Sequence, residues 1–172
     1  MHTIGIDPGY KGAIVHLSPS GRVLGAWDAP VQGTSAKPVG HDAAECRAIL
    51  QSILMETEGR VTVALEDIAK IVRIPGRTIP ATALWGSRCF WLGLCEGLGL
   101  TVRLIGPKKW QKAMYAGLPG DLSKDAKAVQ AARQRWREDE LELIPARRRV
   151  PRVDRAEAAL IAEFVRLERL GI

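Results

Sequence analysis

The opening run His2-Thr3-Ile4-Gly5-Ile6-Asp7-Pro8-Gly9, followed by Gly12-Ala13-Ile14-Val15, constrains the fold more than any other stretch. Ile4 and Ile6 alternate with Thr3 and Gly5, the period of a strand, and the run ends on a carboxylate. Pro8 and Gly9 turn the chain, and the second apolar run reads as the return strand of a hairpin. Asp7 is thereby expected at the end of a buried strand, facing a cleft. An Asp-Pro-Gly turn accounts for the same residues without any function. The weight of Asp7 therefore depends on whether other acids join it.

Ser18-Pro19-Ser20-Gly21 is a turn signal, and Arg22 to Trp27 reads as a third strand, so three sequential antiparallel strands are predicted. Residues 30–40, with Pro30, Gly33, Pro38 and Gly40, read as a connecting loop. Asp42 caps a helix, with Glu45 three residues on in a capping-box-like pattern, and Cys46, Ile49, Leu50, Ile53 and Leu54 fall on one face. Val61 to Leu65 is too short and too β-branched to continue that helix and reads as a fourth strand, ending on Glu66 and Asp67. Strand, helix, strand implies a crossover onto a parallel neighbour, which brings Glu66 to the same sheet edge as Asp7. Residues 68–80 read as a mobile loop. A helix is predicted over 81–97, where Gly86 and Gly93 suggest close packing against another element. Leu100 to Ile105 reads as a fifth strand, and Pro107 starts a short helix. Ser123 caps a helix to about Arg137, and a last helix spans Val153 to Leu170. The chain reads as α/β, a single domain over 1–172 built on a mixed five-stranded sheet.

A chain of 172 residues with 47% hydrophobic content can bury a substantial core. No apolar run approaches the roughly 18 residues needed to span a bilayer, and the N-terminus lacks the pattern of a signal peptide. Cys46, Cys89 and Cys95 form neither a disulfide framework nor a zinc motif. A cytoplasmic protein away from membranes is expected. Lys and Arg total 25 against 19 Asp and Glu, a net charge of +6, and such an excess attracts polyanions, nucleic acid first. Residues 145–155 hold five arginines, among them Arg147, Arg148, Arg149 and Arg152, and Lys108, Lys109 and Lys112 surround Trp110.

The last helix opens Val153-Asp154-Arg155-Ala156-Glu157, followed by small and apolar residues nearly all round. Asp154 and Glu157 share one face of its first turn. Acids there also complement the helix dipole, but the apolar surroundings indicate a helix start packed into the domain. Asp7, Glu66, Asp154 and Glu157 together form an oxygen-only donor set suited to a hard cation, Mg²⁺ or Mn²⁺. Two such ions are suited to phosphodiester hydrolysis, and without them the acids repel one another.

The ordered set Ile4-Gly5-Ile6-Asp7-Pro8-Gly9 with Gly12-Ala13-Ile14, Val63-Ala64-Leu65-Glu66, and Asp154-Arg155-Ala156-Glu157 resembles the RuvC-type Holliday junction resolvases, particularly their phage-borne relatives. Pro107-Lys108-Lys109-Trp110 is similar to a segment common in the phage group. The resemblance implies an RNase H-like fold with helices on both sheet faces. It also implies a homodimer resolving four-way DNA junctions by paired symmetric nicks, with two Mg²⁺ or Mn²⁺ ions per site and no small-molecule cofactor. By position, Asp7, Glu66, Asp154 and Glu157 would be metal ligands. Glu157 stands where bacterial members usually have aspartate. Lys112 and Lys124 lie near the family's supporting basic residues, with Gln111 where a lysine is common. The loop after the second acid enters the junction in the family, which points to Lys70, Arg73, Ile74 and Arg77 as DNA contacts, and the helix over 81–97 would bring Trp85, Trp91 and Leu92 to the dimer interface. The setting implied is a bacterial or phage-infected bacterial cytoplasm. Alternatives are another RNase H-like nuclease acting on branched DNA, a non-catalytic DNA-binding protein of the same fold, and an actin-like or sugar-kinase-like ATPase. The last needs two such domains, for which this length leaves no room.

Overall fold

The computed structural model describes residues 1–34, 37–68, 81–143 and 152–172, with Ala81 and Thr82 by backbone alone. In chain order the elements are β1 (His2–Asp7), β2 (Ala13–Leu17), β3 (Val23–Asp28), β4 (Val31–Thr34), β5 (Lys37–His41), α1 (Ala43–Glu56), β6 (Val61–Glu66), α2 (Ala81–Gly97), β7 (Thr101–Ile105), α3 (Pro107–Met114), α4 (Lys124–Arg133) and α5 (Val153–Leu170). Five strands form one mixed sheet in the order β3-β2-β1-β6-β7. The first three are antiparallel, while β6 joins β1 and β7 joins β6 in parallel.

Strand alternation divides the core into two layers. Ile4, Ile6, Ile14, Val63 and Leu65 face α1 and α2 and pack with Cys46, Leu50, Ile53, Trp91 and Cys95. On the other face Ala13, Val15, Leu17 and Ala64 meet α5, with Trp110, Ala128, Ala132 and Trp136 around it. From Arg155 to Val165 α5 is buried without interruption, because it lies across β1 and β2 and is itself covered by α3 and α4. Its contact with β1 is close at Gly5, where a Cβ would stand 1.9 Å from the Ala158 carbonyl oxygen.

Local signals explain the element ends. The Asp42 carboxylate accepts from the Ala44 and Glu45 amides at 3.1 Å, which starts α1 as the capping pattern predicts. Ser123 accepts from the Ala126 amide at 3.2 Å, but α4 ends at Arg133, four residues short of the predicted limit. Residues 30–40 are not a plain loop: β4 and β5 pair as a separate hairpin with an irregularity between Gln32 and Gly33. Gly86 and Gly93 are exposed, with nothing within 4 Å of a Cβ at either, so they serve no close packing among the described residues.

Candidate active site

The parallel register sets the first two acids. Ile6 lies opposite Leu65, so Asp7 and Glu66 follow side by side at one edge, on the face towards α5. The first turn of α5 runs across that edge and supplies Asp154 and Glu157. All four acids line one cleft of about 560 Å³, walled also by Gly9, Lys11, Pro38, Ile68, Leu84, Ser87 and Lys124.

Each acid is held differently. The Gly9 amide donates to the Asp7 carboxylate at 3.3 Å, and Gly12 is confined to a glycine because a Cβ there would meet the Asp7 carbonyl oxygen at 2.0 Å. The Trp110 indole donates to Glu66 Oε1 at 2.8 Å, and the Lys124 ammonium pairs with Glu157 Oε1 at 2.8 Å. The helix start carrying Asp154 and Glu157 is anchored by Arg155, which donates to Asp28 at 2.8 Å and to Glu142 at 2.9 Å.

The charges are far from balanced. Burial, then repulsion from Glu66, Glu157 and Asp154, raises the Asp7 pKa well above the ordinary aspartate value. Burial also raises Glu66, against the pull of the Trp110 hydrogen bond, and raises Asp154, with Glu157 adding to it. Burial works against the charge of Lys124, but Glu157, Glu66 and Asp7 outweigh it and lift its pKa. Among the described residues Lys11 and Lys124 are the cations lining the cleft, two against four carboxylates.

This donor set fits a hard divalent cation, being all carboxylate oxygen with repulsion left to neutralise. Among the described residues no three acids, histidines or cysteines already converge on a metal position. Glu66 and Glu157 point instead to the protein donors Trp110 and Lys124.

The remaining predicted residues are distributed as follows. Lys112 is exposed and absent from the cleft wall, since it lies about 200° around α3 from the buried Trp110. This leaves Lys124 as the predicted catalytic lysine that meets the acids. Lys108 is exposed. Lys109, predicted for DNA, pairs with Glu168 at 2.6 Å, and Arg152 pairs with Asp28, so both are engaged within the chain. Trp91, predicted at a dimer interface, is fully buried in the chain's own core, whereas Trp85 is half exposed and Leu92 half-buried. Lys70, Arg73, Ile74, Arg77, Arg147, Arg148 and Arg149 lie outside the described residues. Sequence reading missed Lys11, Ser87 and the Trp110 donor. For Trp110 the available signal was one large aromatic in an otherwise basic short helix.

No protein-family model and no curated protein matches this sequence. Among solved structures the chain is similar to RuvC of Thermus thermophilus, with a TM-score of 0.63 and 20% identity over 99% of this chain and 97% of that one. The T. thermophilus RuvC solved in complex with a Holliday junction substrate gives 0.62 and 20%, over 99% and 96%. At this identity the likeness bears on architecture, and in architecture the chain has the RNase H-like fold of RuvC.

Proposed function

We propose that the chain is a divalent-metal-dependent endonuclease that resolves four-way DNA junctions by paired nicks. The observation that carries this reading is the convergence of four carboxylates, from two strand ends and one helix, on a single cleft of a RuvC-like fold. A protein of the same fold binds a Holliday junction substrate, and the net charge of +6 suits a DNA partner.

In this reading Asp7, Glu66, Asp154 and Glu157 would hold the divalent ions, Mg²⁺ or Mn²⁺, two per site. The ions supply Lewis acidity and charge neutralisation at the phosphodiester. Asp7 is held by the hairpin turn, while Glu66 rests on the Trp110 indole and would turn from it to meet an ion. Lys124 balances Glu157 before DNA is bound and stands within reach of a phosphate oxygen afterwards. Lys11, at the hairpin tip beside Asp154, offers a second positive contact. Paired cuts need two sites, so a homodimer is proposed, with the exposed side of α2 around Trp85 as the surface between copies. The phage-type reading rests on Glu157 and on the Pro107–Trp110 segment, and the setting is a bacterial or phage-infected bacterial cytoplasm.

The test is a nicking assay with labelled four-way, three-way and linear DNA, with and without Mg²⁺ or Mn²⁺. Symmetric, ligatable nicks in the four-way junction are expected only with metal. Metal-independent cleavage, or equal cleavage of linear duplex, would contradict the proposal.

A further inference from the structure

On the α2 side of the Asp7 turn, away from α5, lies a polar chain of which Ser87 reaches the cleft wall. Ser87 of α2 is almost fully buried, and its hydroxyl reaches the Pro8 carbonyl. His41, at the end of β5 and also buried, places Nε2 2.5 Å from the same hydroxyl. The His41 ring is clamped by Phe90, stacked at 4.7 Å, by Trp91 edge-on at 5.2 Å and by Tyr10 at 5.0 Å.

Hydrogen positions follow from donor and acceptor chemistry. A carbonyl only accepts, so Ser87 donates to Pro8 and its oxygen must accept from His41 Nε2–H. A neutral ring carries one hydrogen, and the Nε2 contact with Ser87 at 2.5 Å is far shorter than the 3.4 Å from Nδ1 to the Pro30 carbonyl, which also accepts from the Asp42 amide at 3.0 Å. Burial, against the pull of the Pro30 and Pro8 carbonyls, pushes the His41 pKa down, in keeping with a neutral ring. The pair is not arranged for nucleophilic attack, because the serine hydrogen is spent on a carbonyl and the imidazole donates where a general base would accept.

We propose that Ser87 and His41 are positioning residues for the carboxylate cleft: the His41 imidazole orients the Ser87 hydroxyl onto the Pro8 carbonyl, and this link fixes the turn that presents Asp7. The turn needs such a link. Pro8 has no amide hydrogen, among the described residues the Gly9 amide at 3.3 Å is the one donor to the Asp7 carboxylate, and Glu66 beside it and Glu157 and Asp154 on α5 repel it. Ser87 restrains the same turn from the opposite side. The β4–β5 hairpin thereby acquires a purpose, since it delivers His41 to this position. The inference rests on the nuclease reading for its catalytic consequence, but not for its geometry.

The test compares Ser87→Ala, Ser87→Thr and His41→Leu with the parent chain. Mn²⁺ affinity by calorimetry and single-turnover cleavage at saturating junction are each expected to fall about 10–100-fold in Ser87→Ala and His41→Leu, as for other residues that orient ligands. Junction affinity should stay within about twofold because both side chains are buried and phosphate contacts at the surface position the DNA. Ser87→Thr, which keeps the hydroxyl, should restore both readouts. Parent-like Mn²⁺ affinity and cleavage in Ser87→Ala, with only stability reduced, would overturn the proposal by making the pair purely structural. Imidazole nitrogen shifts of His41 give an independent decision: the Nε2–H form supports the chain, and an Nδ1–H form refutes it. Should the parent neither bind Mn²⁺ nor cut DNA, the nuclease reading falls while these shifts still decide the geometry.

Discussion

Gly5→Ala tests the packing that holds the carboxylate cleft together. A Cβ at Gly5 would lie 1.9 Å from the Ala158 carbonyl oxygen and 2.9 Å from both the backbone nitrogen and the Cβ of Ala162. Two of the three atoms are α5 backbone, and the third is a rigid methyl, so no flexible side chain can give way. Ordinary contact begins near 3.4 Å, so the helix must retreat by about 1.5 Å at this point, an overpacking that costs about 3 kcal/mol at the upper end of the usual range. For a chain of this size that is a fall in Tm of roughly 6–12 °C. Glu157 directly precedes Ala158 and Asp7 lies two residues beyond Gly5, so the same retreat separates the acids. A misplacement of about 1 Å can cost about 100-fold in rate. Thermal unfolding, Mn²⁺ calorimetry and single-turnover junction cleavage measure the three effects. A variant with Tm within about 2 °C of the parent and unchanged Mn²⁺ affinity would refute the close approach.

Asp7→Asn is expected to abolish nicking while leaving junction binding intact or improved, measured by gel shift, because it removes a negative charge beside the phosphates. Burial and mutual repulsion raise the pKa values of Asp7, Glu66 and Asp154, so in the metal-free chain these acids hold more protons folded than unfolded. Their contribution to stability is present in the ordinary carboxylate range and is lost as pH rises through the folded-state values, whereas the lowered pKa values of His2, His16 and His41 act in the opposite sense. Comparing urea midpoints of the parent and Asp7→Asn from pH 5 to 8 isolates the acids: Asp7→Asn should gain stability relative to the parent as pH rises, and added Mn²⁺ should narrow the gap; a gap of opposite trend contradicts the charge argument. Gly93→Ala, with open space around it, should stabilise the monomer by about 0.5–1 kcal/mol, and a loss of dimer by light scattering would place a second copy on that face. Alanine at Arg148 and Arg149 should weaken junction binding and lower the salt slope by about 0.9 per lost phosphate contact; an unchanged slope removes these residues from the DNA path.

The legible parts of this protein were those in which local chemistry decides. Asp42 capping α1, Pro107 opening α3 and the apolar start of α5 are signals carried within one turn, and each element begins where they indicate. Asp7 and Glu66 were placed together by strand direction alone, since a strand-helix-strand crossover leaves little choice of edge. What escaped depends on partners distant in sequence. The β4–β5 hairpin has glycine, proline and exposed residues where a strand pattern would alternate, and the one buried residue among those described in it, His41, is explained by Ser87 forty-six positions away. The ion pairs of Lys109 and Arg152 also escaped, because nothing local reveals Glu168 or Asp28 beside them. Core packing and a dimer contact were both open for Trp91, and the dimer was favoured, since helix spacing does not say which face a neighbour covers; it is core.

The hydrogen bond from Trp110 to Glu66 also has a practical use. An indole whose N–H rests on a candidate metal ligand is an optical probe built into the site. Any ion that draws Glu66 away changes the polarity and hydrogen bonding of that ring, and with it the emission. Comparing titrations of the parent chain and Trp110→Phe would isolate this signal from the other four tryptophans. Occupancy of the cleft would then be readable without DNA and without a label.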